Sequence, residues 1–422
     1  MQVTIPYGDS EEQVFIPDDR LQGVLAASLP EPCNEKDLLK GAVSAPVGRG
    51  PIATFAAAGE NVLVLVNDAT RPTPTAMMLE TVWDEIKDWE LGFLIATGIH
   101  RNPSEAECRR IFGSLWKEVR GRVTVHEARD KNSLVHIGTT SFGTDVQINR
   151  LVAEARKILV LSSVEPHYFA GYTGGRKIFV PGVSGFKTIE QNHCHALNAG
   201  ARPFATCGNP VRSDIDEAFL FLAGRDIFSL MAVLDREQRV CQAAAGDLDA
   251  VFSRCARRVN ELYAVEVGEQ ADIVLAVATP PLDVDFYQAQ KVVENGKMAL
   301  TEGGILIIVS ACSDGVGNEA FINVMKQASS PAAVIDRAVN DYHLGYHKAA
   351  RLAEVATRAE VWAVTGIDDA IVKSVFMKPF SGIQEAVDTA LEASPAGNIW
   401  VLMDAGVSVP DYKGENIKSG ER

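Results

Sequence analysis

The sequence predicts an α/β protein with two α/β domains, mostly parallel sheets, a short N-terminal β hairpin and an active-site cleft between the domains. Apolar runs of strand length alternate with helical segments along the chain, which is typical of βαβ units. The 422 residues also exceed the length over which one hydrophobic core grows efficiently. We therefore predict an N-terminal domain at residues 1–265 and a C-terminal domain at 266–395, with the tail 396–422 returning to the first domain.

The first domain is predicted to open with a hairpin, because residues 2–6 and 13–16 carry short alternating patterns around Tyr7-Gly8-Asp9. Continuous apolar runs separated by helical segments follow, which predicts strands buried on both faces of a parallel sheet. The predicted strands are 62–66, 92–96, 123–126 and 158–162, and the predicted helices lie near 75–89 and 103–119.

The second domain repeats the same alternation, so another parallel sheet is expected there. Its predicted strands are 271–277, 304–309 and 360–364, and its predicted helices lie near 285–300, 344–357 and 382–392. A last strand is predicted at 398–403, in the tail that we expect to return to the first domain.

Composition narrows the function classes. A formal net charge of −15 without a basic run argues against nucleic acid as a partner, since phosphate binding needs clustered Lys and Arg. Seven scattered cysteines form no C-x-x-C pair, which favours a reducing cytoplasm. The N-terminus lacks an apolar leader pattern, and no window approaches about 18 uninterrupted apolar residues. We therefore expect a cytoplasmic protein that neither enters nor crosses a membrane.

Reactive side chains follow three predicted strands of the first domain. Asp68 and Arg71 come after strand 62–66, His100 after 92–96 and His167 after 158–162. Parallel strands bring their carboxyl ends to one edge, where open α/β sheets bind ligands, so these side chains are expected to converge. An equally good interpretation of Asp68 alone is a helix N-cap, with Arg71 solvated.

The loop after strand 158–162 carries Gly174-Gly175-Arg176-Lys177. It is not a Walker loop, because Ile178 stands where that loop needs Ser or Thr. Its glycines let backbone N–H groups approach an anion, so a nucleotide phosphate is expected near Gly174, Gly175 and Arg176.

Familiar metal-site spacings are absent, and a single histidine of His193-Cys194-His195 is the metal ligand that the residues favour. One protein ligand holds a transition metal poorly, so a bound molecule would have to supply the others. In the second domain Gln288 and Lys291 share a helix face and could bind a carboxylate, although a solvated face is as good an interpretation.

Together these segments resemble the lactate racemase family over nearly the whole chain. Six motifs in order carry the resemblance: D-x-T-R-P at 68–72, T-G-x-H-R at 97–101, E-P-H-Y-F-A-G-Y at 165–172, G-G-R-K at 174–177, N-H at 192–193 and Y-Q-x-x-K at 287–291.

The resemblance implies a nickel-pincer nucleotide, the Ni(II) complex of pyridinium-3,5-bisthiocarboxylic acid mononucleotide. Its sulfur, carbon and sulfur donors would be completed by His193, and Lys177 matches the lysine that can hold it covalently. His100 and His167 match two acid/base histidines. The resemblance also implies that Thr70 contacts the cofactor and that Arg71 and Asp68 take part in catalysis. It implies that the substrate is bound by Tyr287, Gln288 and Lys291.

The implied reaction is racemisation or epimerisation of a 2-hydroxyacid such as lactate, malate or a sugar acid. Hydride would leave Cα for the cofactor, giving a planar 2-oxoacid, while one histidine takes the hydroxyl proton and the other returns a proton on the opposite face. Cofactor-synthesis enzymes are the implied partners. Two alternatives stay open: a zinc or manganese hydrolase that uses the same histidines as ligands, and a non-catalytic carrier of the nickel cofactor.

Overall fold

A computed structural model describes residues 1–280, 282–317 and 319–412 of the chain. They form two compact units. The first comprises residues 29–262, here called the catalytic unit because it contains the three strand ends discussed above. The second comprises residues 1–28 with the described residues from 263 onward, here called the composite unit.

The strands, in chain order, are β1 Gln2–Tyr7, β2 Ser10–Phe15, β3 Leu21–Leu25, β4 Asn61–Asn67, β5 Glu90–Ala96, β6 Val123–Val125, β7 Leu134–Thr139, β8 Asp145–Asn149, β9 Lys157–Ser163, β10 Pro166–His167, β11 Gly171–Tyr172, β12 Asp226–Leu234, β13 Val240–Gly246, β14 Ala264–Val267, β15 Ala271–Val277, β16 Leu300–Ser310, β17 Glu360–Thr365, β18 Lys378–Phe380, β19 Ile399–Leu402 and β20 Val409–Tyr412.

The helices are α1 Glu35–Ser44, α2 Thr75–Ile86, α3 Glu105–Phe112, α4 Trp116–Val119, α5 Arg150–Glu154, α6 Phe186–Cys194, α7 Pro210–Leu220, α8 Leu248–Tyr263, α9 Phe286–Gly296, α10 Glu319–Lys326, α11 Pro331–Asn340, α12 Tyr346–Arg358, α13 Asp369–Ser374 and α14 Ile383–Ala393.

The catalytic unit is built on a six-stranded sheet in the order β13-β12-β9-β4-β5-β6. Its strands are parallel except for the antiparallel pair β12 and β13. Strand β4 is central, and its residues 62–66 are buried on both faces, which explains the uninterrupted apolar run. Helices α1, α2 and α3 pack their apolar faces against this sheet.

The composite unit contains a second six-stranded sheet, in the order β18-β17-β16-β15-β19-β3, and every pairing in it is parallel. The hairpin of β1 and β2 places Val3, Ile5, Val14 and Ile16 against one face of this sheet. The predicted α/β class, the mostly parallel sheets and the N-terminal hairpin are confirmed.

The assignment of the chain ends differs from the prediction. Strand β3 is the edge of the composite sheet, so residues 1–28 do not belong with the predicted first domain. Strand β19 lies between β15 and β3, and β20 pairs with β14, so the predicted return of the tail to the first domain is wrong for residues 399–412. The physical reason is that β19 pairs with a neighbouring strand along each of its two edges, which local sequence does not reveal. Residues 413–422 lie outside the described residues.

Among the described residues, no helix is both long enough and apolar enough to span a bilayer.

Candidate active site

Three neighbouring strands deliver the predicted residues to one edge of the catalytic sheet. Strands β9, β4 and β5 are adjacent, and they end four, one and four residues before His167, Asp68 and His100 respectively. The backbone N–H of Gly98 donates to the carbonyl of Gly182 at 2.8 Å, which links the His100 turn to the loop containing Lys177. The sheet topology therefore brings segments a hundred residues apart in sequence to one place.

Asp68 and His100 form a pair between a buried carboxylate and an exposed imidazole. Nδ1 of His100 lies 2.9 Å from Oδ2 of Asp68, and the carboxylate is 4% exposed. Thr70 donates its hydroxyl to the other carboxylate oxygen at 2.8 Å. Because Asp68 accepts from Nδ1, the neutral imidazole carries its proton there and its unprotonated nitrogen is Nε2.

The N-cap interpretation of Asp68 is wrong. Helix α2 begins at Thr75 with Pro74 at the cap position, and Asp68 lies well before it. The Asp68 carbonyl accepts from the N–H of Arg71 at 3.2 Å, so these residues form a tight turn ahead of the helix.

Arg71 pairs loosely with Glu165, a residue that the sequence motifs contain but to which we assigned no role. Nη1 of Arg71 lies 3.7 Å from Oε2 of Glu165. The other carboxylate oxygen of Glu165 accepts from the hydroxyl of Ser163 at 3.1 Å, and that hydroxyl lies 2.7 Å from the hydroxyl of Thr73. The Ser163 hydroxyl thus orients the Glu165 carboxylate, which holds the Arg71 guanidinium beside the strand ends.

His167 has the opposite hydrogen-bonding pattern to His100. Its Nδ1 accepts from the backbone N–H of Ala170 at 3.2 Å and, more weakly, of Phe169 at 3.5 Å. The neutral ring therefore carries its proton on Nε2. Tyr168 stacks on this imidazole with ring centroids 5.2 Å apart, which restricts its rotation.

Phe169 links Lys177 and His193. Its ring contacts His193 edge-on at 5.0 Å between centroids, and Nζ of Lys177 lies 5.7 Å from its centroid. Desolvation of the His193 ring, followed by the positive charges of Lys177 and His100, lowers the pKa of His193 to about 3. His193 is therefore neutral at physiological pH, which is the form that ligates a metal.

The Gly174-Gly175-Arg176 turn is constrained by its own protein surroundings. A Cβ on Gly174 would lie 2.7 Å from the carbonyl oxygen of Ser163, and both glycines have positive φ, +72° and +57°. Arg176 makes a bidentate pair with Asp249 at 3.0 and 2.7 Å and lies 3.3 Å from Asp216. The two carboxylates balance the charge of the Arg176 side chain, and the prediction that Arg176 contacts the cofactor rests on the resemblance alone. Anion binding by the backbone of this turn stays a prediction.

The composite unit holds the remaining predicted residues on the first turn and a half of α9, which Asp285 caps by accepting from the N–H of Gln288 at 2.7 Å. The buried Lys348 of α12 donates from Nζ to the carbonyl oxygen of Tyr287 at 2.7 Å, and its Nζ lies 3.4 Å from that ring's centroid. Burial, followed by the charge of Lys291, lowers the pKa of Lys348 well below its ordinary value. The sequence did not reveal this support of the Tyr287 turn.

A metal at His193 would need donors beyond this protein. The part of the chain that the structure describes contains no group of three or more His, Cys, Asp or Glu side chains arranged to hold a metal ion. A neutral imidazole beside a buried lysine suits a metal whose other ligands arrive with an anionic cofactor. It does not suit the hydrolase alternative, which needs His100, His167 and His193 as joint ligands.

Two family models match successive parts of the chain. The model described as lactate racemase N-terminal domain matches residues 7–203, and the model described as lactate racemase C-terminal domain matches residues 267–410. The lactate racemase of Thermoanaerobacterium thermosaccharolyticum is 32% identical over 403 residues, covering 92% of this chain and 94% of the relative. The lactate racemase of Lactiplantibacillus plantarum is 29% identical over 351 residues, covering 80% and 81%.

Solved structures agree. The lactate racemase apoprotein from Thermoanaerobacterium thermosaccharolyticum superimposes with a TM-score of 0.89 at 31% identity, covering 97% of this chain and 99% of that chain. A protein from Thermotoga maritima superimposes with a TM-score of 0.69 at 17% identity, covering 91% and 99%, and shares the fold.

Proposed function

The chain belongs to the lactate racemase family, a family of isomerases, and on that premise we propose that it interconverts the enantiomers or epimers of a 2-hydroxyacid, with lactate as the first candidate. The observation that carries the proposal is the pair of histidines at one sheet edge with opposite proton positions. His100 has its proton on Nδ1 and His167 has its proton on Nε2. A reaction that removes and restores a proton on the same oxygen needs one group that accepts the proton and one that donates it, and the two rings supply these roles.

His100 is the base for the first step. Its Nε2 accepts the hydroxyl proton of the substrate, and the resulting imidazolium is stabilised by the carboxylate of Asp68 at 2.9 Å. The side chain of His100 is 45% exposed, so water can reset its protonation state after turnover.

His167 donates from Nε2 to the substrate oxygen. To deliver a full proton to the product alkoxide its ring must first be cationic, with Nδ1 also protonated. A protonated Nδ1 cannot accept the two backbone hydrogen bonds, so both are broken. At 3.2 and 3.5 Å these hydrogen bonds are weak, and breaking them costs little free energy. In the reverse direction the two rings exchange roles.

Cations bind the carboxylate of the substrate and the charge that develops on its oxygen. Arg71 is placed for this by Glu165, whose loose 3.7 Å pairing leaves the guanidinium able to bind a second carboxylate. Lys291 and Gln288 are the proposed contacts of the substrate carboxylate, and Tyr287 is a further proposed substrate contact. Fixed cations stabilise such charge better than water does.

The cofactor is a nickel-pincer nucleotide with His193 as its protein ligand. When bound, this group would supply a hydride acceptor that takes hydrogen from Cα and returns it to either face of a planar 2-oxoacid. Lys177 beside it is the candidate for covalent attachment, and Thr70 with the backbone of Gly174 and Gly175 contacts the nucleotide. Enzymes that synthesise this cofactor are then necessary partners in the cell.

Protein produced together with the cofactor-synthesis enzymes tests this proposal. It should contain nickel and racemise at least one member of a panel of chiral 2-hydroxyacids, followed by chiral chromatography. The Lys177→Ala/His193→Ala double variant should lose nickel, whereas His136→Ala, a histidine change on β7, should keep it. Full nickel content in the double variant would overturn the assignment. The non-catalytic carrier predicts instead that nickel binds and no hydroxyacid is converted.

A further inference from the structure

A fully buried chain of side chains stands behind the proposed nickel ligand. Oδ1 of Asn192 lies 3.2 Å from Nδ1 of His193, and Nδ2 of Asn192 lies 2.8 Å from Oδ2 of Asp214. Neither Asn192 nor Asp214 is exposed. The three residues therefore form a continuous path from the interior of the catalytic unit to the imidazole.

The amide of Asn192 has one possible orientation in this chain. Its Nδ2 lies between two oxygen acceptors, the Asp214 carboxylate and the carbonyl oxygen of Val211 at 3.1 Å. A flipped amide would place Oδ1 against both oxygens and lose two hydrogen bonds in a buried place, which is costly. Oδ1 of Asn192 must therefore face His193 as an acceptor.

Asp214 is fixed in turn by two hydroxyls. Thr140 donates to Oδ1 at 2.6 Å and Thr144 donates to Oδ2 at 3.0 Å. These threonines lie in the turn between β7 and β8, and Asp214 lies on α7. Two elements, the turn between β7 and β8 and helix α7, thus hold the amide of Asn192 in place.

From this geometry we propose that Asn192 and Asp214 are positioning residues that hold His193 in the tautomer with its proton on Nδ1. The nitrogen that then carries the lone pair is Nε2, the atom that would ligate the metal. Partners of this kind fix the tautomer and orientation of ligating histidines in metalloproteins, and their loss typically reduces metal affinity or activity about 10- to 100-fold. The inference deepens the proposed function and rests on His193 being the metal ligand.

The same unit contains a histidine with the reverse arrangement, which serves as an internal control. His126 is buried, and its Nε2 lies 2.9 Å from the carbonyl oxygen of Ser184. Its Nδ1 lies 3.1 Å from Nδ2 of Asn149, whose Oδ1 is used by the N–H of Leu151. His126 must therefore carry its proton on Nε2, opposite to His193, although each has an asparagine at Nδ1.

Long-range proton–nitrogen correlation spectra of the cofactor-free protein, labelled with ¹⁵N-histidine, test the proposal without any activity. In the wild-type protein His193 should show protonated Nδ1 and unprotonated Nε2, and His126 the reverse. The resonances are assigned with His193→Gln and His126→Gln. A wild-type His193 protonated on Nε2 would overturn the proposal, and this result needs no variant of the network to fold.

Variants extend the test to metal binding. Asn192→Ala should give a mixture of His193 tautomers and reduce the nickel bound per chain, after co-production with the cofactor-synthesis enzymes, by about tenfold or more. Asp214→Asn, which keeps an oxygen for the Asn192 amide, should lie nearer to wild type than Asp214→Ala. Asn149→Ala is the matched control and should leave nickel content unchanged. A wild-type tautomer and nickel content in Asn192→Ala would refute the positioning role.

The outcomes separate this inference from the proposed function. If His193 has the expected tautomer but the co-produced protein binds no nickel, the function fails and the hydrogen-bond account stands. If nickel binds through His193 but the tautomer is reversed, the function stands and the positioning role fails.

Discussion

The carboxylate of Asp68 and the imidazole of His100 lie 2.9 Å apart although 32 residues separate them in the sequence. The contact exists because β4 and β5 are neighbours and both residues follow the strands' carboxyl ends. A buried anion at Nδ1 favours the tautomer that leaves Nε2 able to accept a proton and stabilises the cation that results. In the proposed reaction this pair is the first proton acceptor.

Asp68→Asn should lower kcat for racemisation by about 10²- to 10⁴-fold, because general base catalysis by His100 depends on the carboxylate. Nickel content should not change, since Asp68 does not contact His193. Chiral chromatography of a 2-hydroxyacid, with nickel measured on the same sample, tests both statements. A variant with wild-type kcat would show that His100 does not act as a base.

Lys348→Met should raise KM for the hydroxyacid about tenfold and leave nickel content unchanged. The lysine donates to the carbonyl of Tyr287 at 2.7 Å, so its loss frees the helical turn that carries Gln288 and Lys291. Methionine keeps the apolar stem and avoids a cavity. Steady-state kinetics decide the point, and an unchanged KM would mean that Lys348 contributes to packing alone.

Gly174→Ala should destabilise the catalytic unit by about 2 kcal/mol more than Gly59→Ala, because its Cβ would overlap the Ser163 carbonyl. The two glycines have nearly equal φ, +72° and +75°, but a Cβ on Gly59 meets no atom within 4 Å. The free energy of unfolding of both variants is measured by chemical denaturation. Because both glycines have nearly the same positive φ, the backbone strain cancels in the difference between the two losses. Equal losses would show that the overlap is relieved by movement of the loop.

Stability of the composite unit should fall as the pH falls from about 4.5 to about 2. Burial opposes ionisation of Glu294, but Arg351 at 2.5 Å and Lys297 at 3.0 Å outweigh it and lower its pKa to about 2. The folded-state pKa is depressed, so the stabilisation is present above the unfolded value of 4.5 and is lost below it.

Glu294→Gln is the variant that checks this pH dependence. At neutral pH it should lose about 3 kcal/mol of stability, because Arg351 and Lys297 lose the buried carboxylate that lies 2.5 and 3.0 Å from them. Between pH 4.5 and about 2, the free energy of unfolding of the variant should then depend less on pH than that of the wild-type protein. A parallel pH dependence in the two proteins would assign the acid sensitivity to other carboxylates.

The sequence predicted the strands that bear the site because each is apolar without interruption and ends in an unusual turn. The strand before Asp68 was expected at 62–66 and extends over Asn61–Asn67, and strand 271–277 has the predicted bounds. Convergence of Asp68 with His100 followed from parallel topology alone. Such inferences succeed where one local pattern indicates both that a segment is a strand and that the strand is parallel to its neighbours.

Other features depend on contacts that no local pattern contains. Arg176 pairs with Asp249, 73 residues away, so its charge is balanced where the motif suggested a phosphate. Asp214 supports Asn192 from another helix. Strands β12 and β13 were missed. Strand β19 was assigned to the wrong unit because its four residues do not show which strands lie beside it.

Racemisation in deuterium oxide is the measurement that tests the central claim most directly. Cofactor-loaded protein is incubated with one enantiomer of lactate, and the Cα position of both enantiomers is followed by proton NMR after chiral separation. If hydride leaves Cα and returns while His100 and His167 exchange only the hydroxyl proton, the newly formed enantiomer retains protium at Cα. Deuterium at Cα, or no conversion of lactate or of any other 2-hydroxyacid by nickel-loaded protein, would contradict the account.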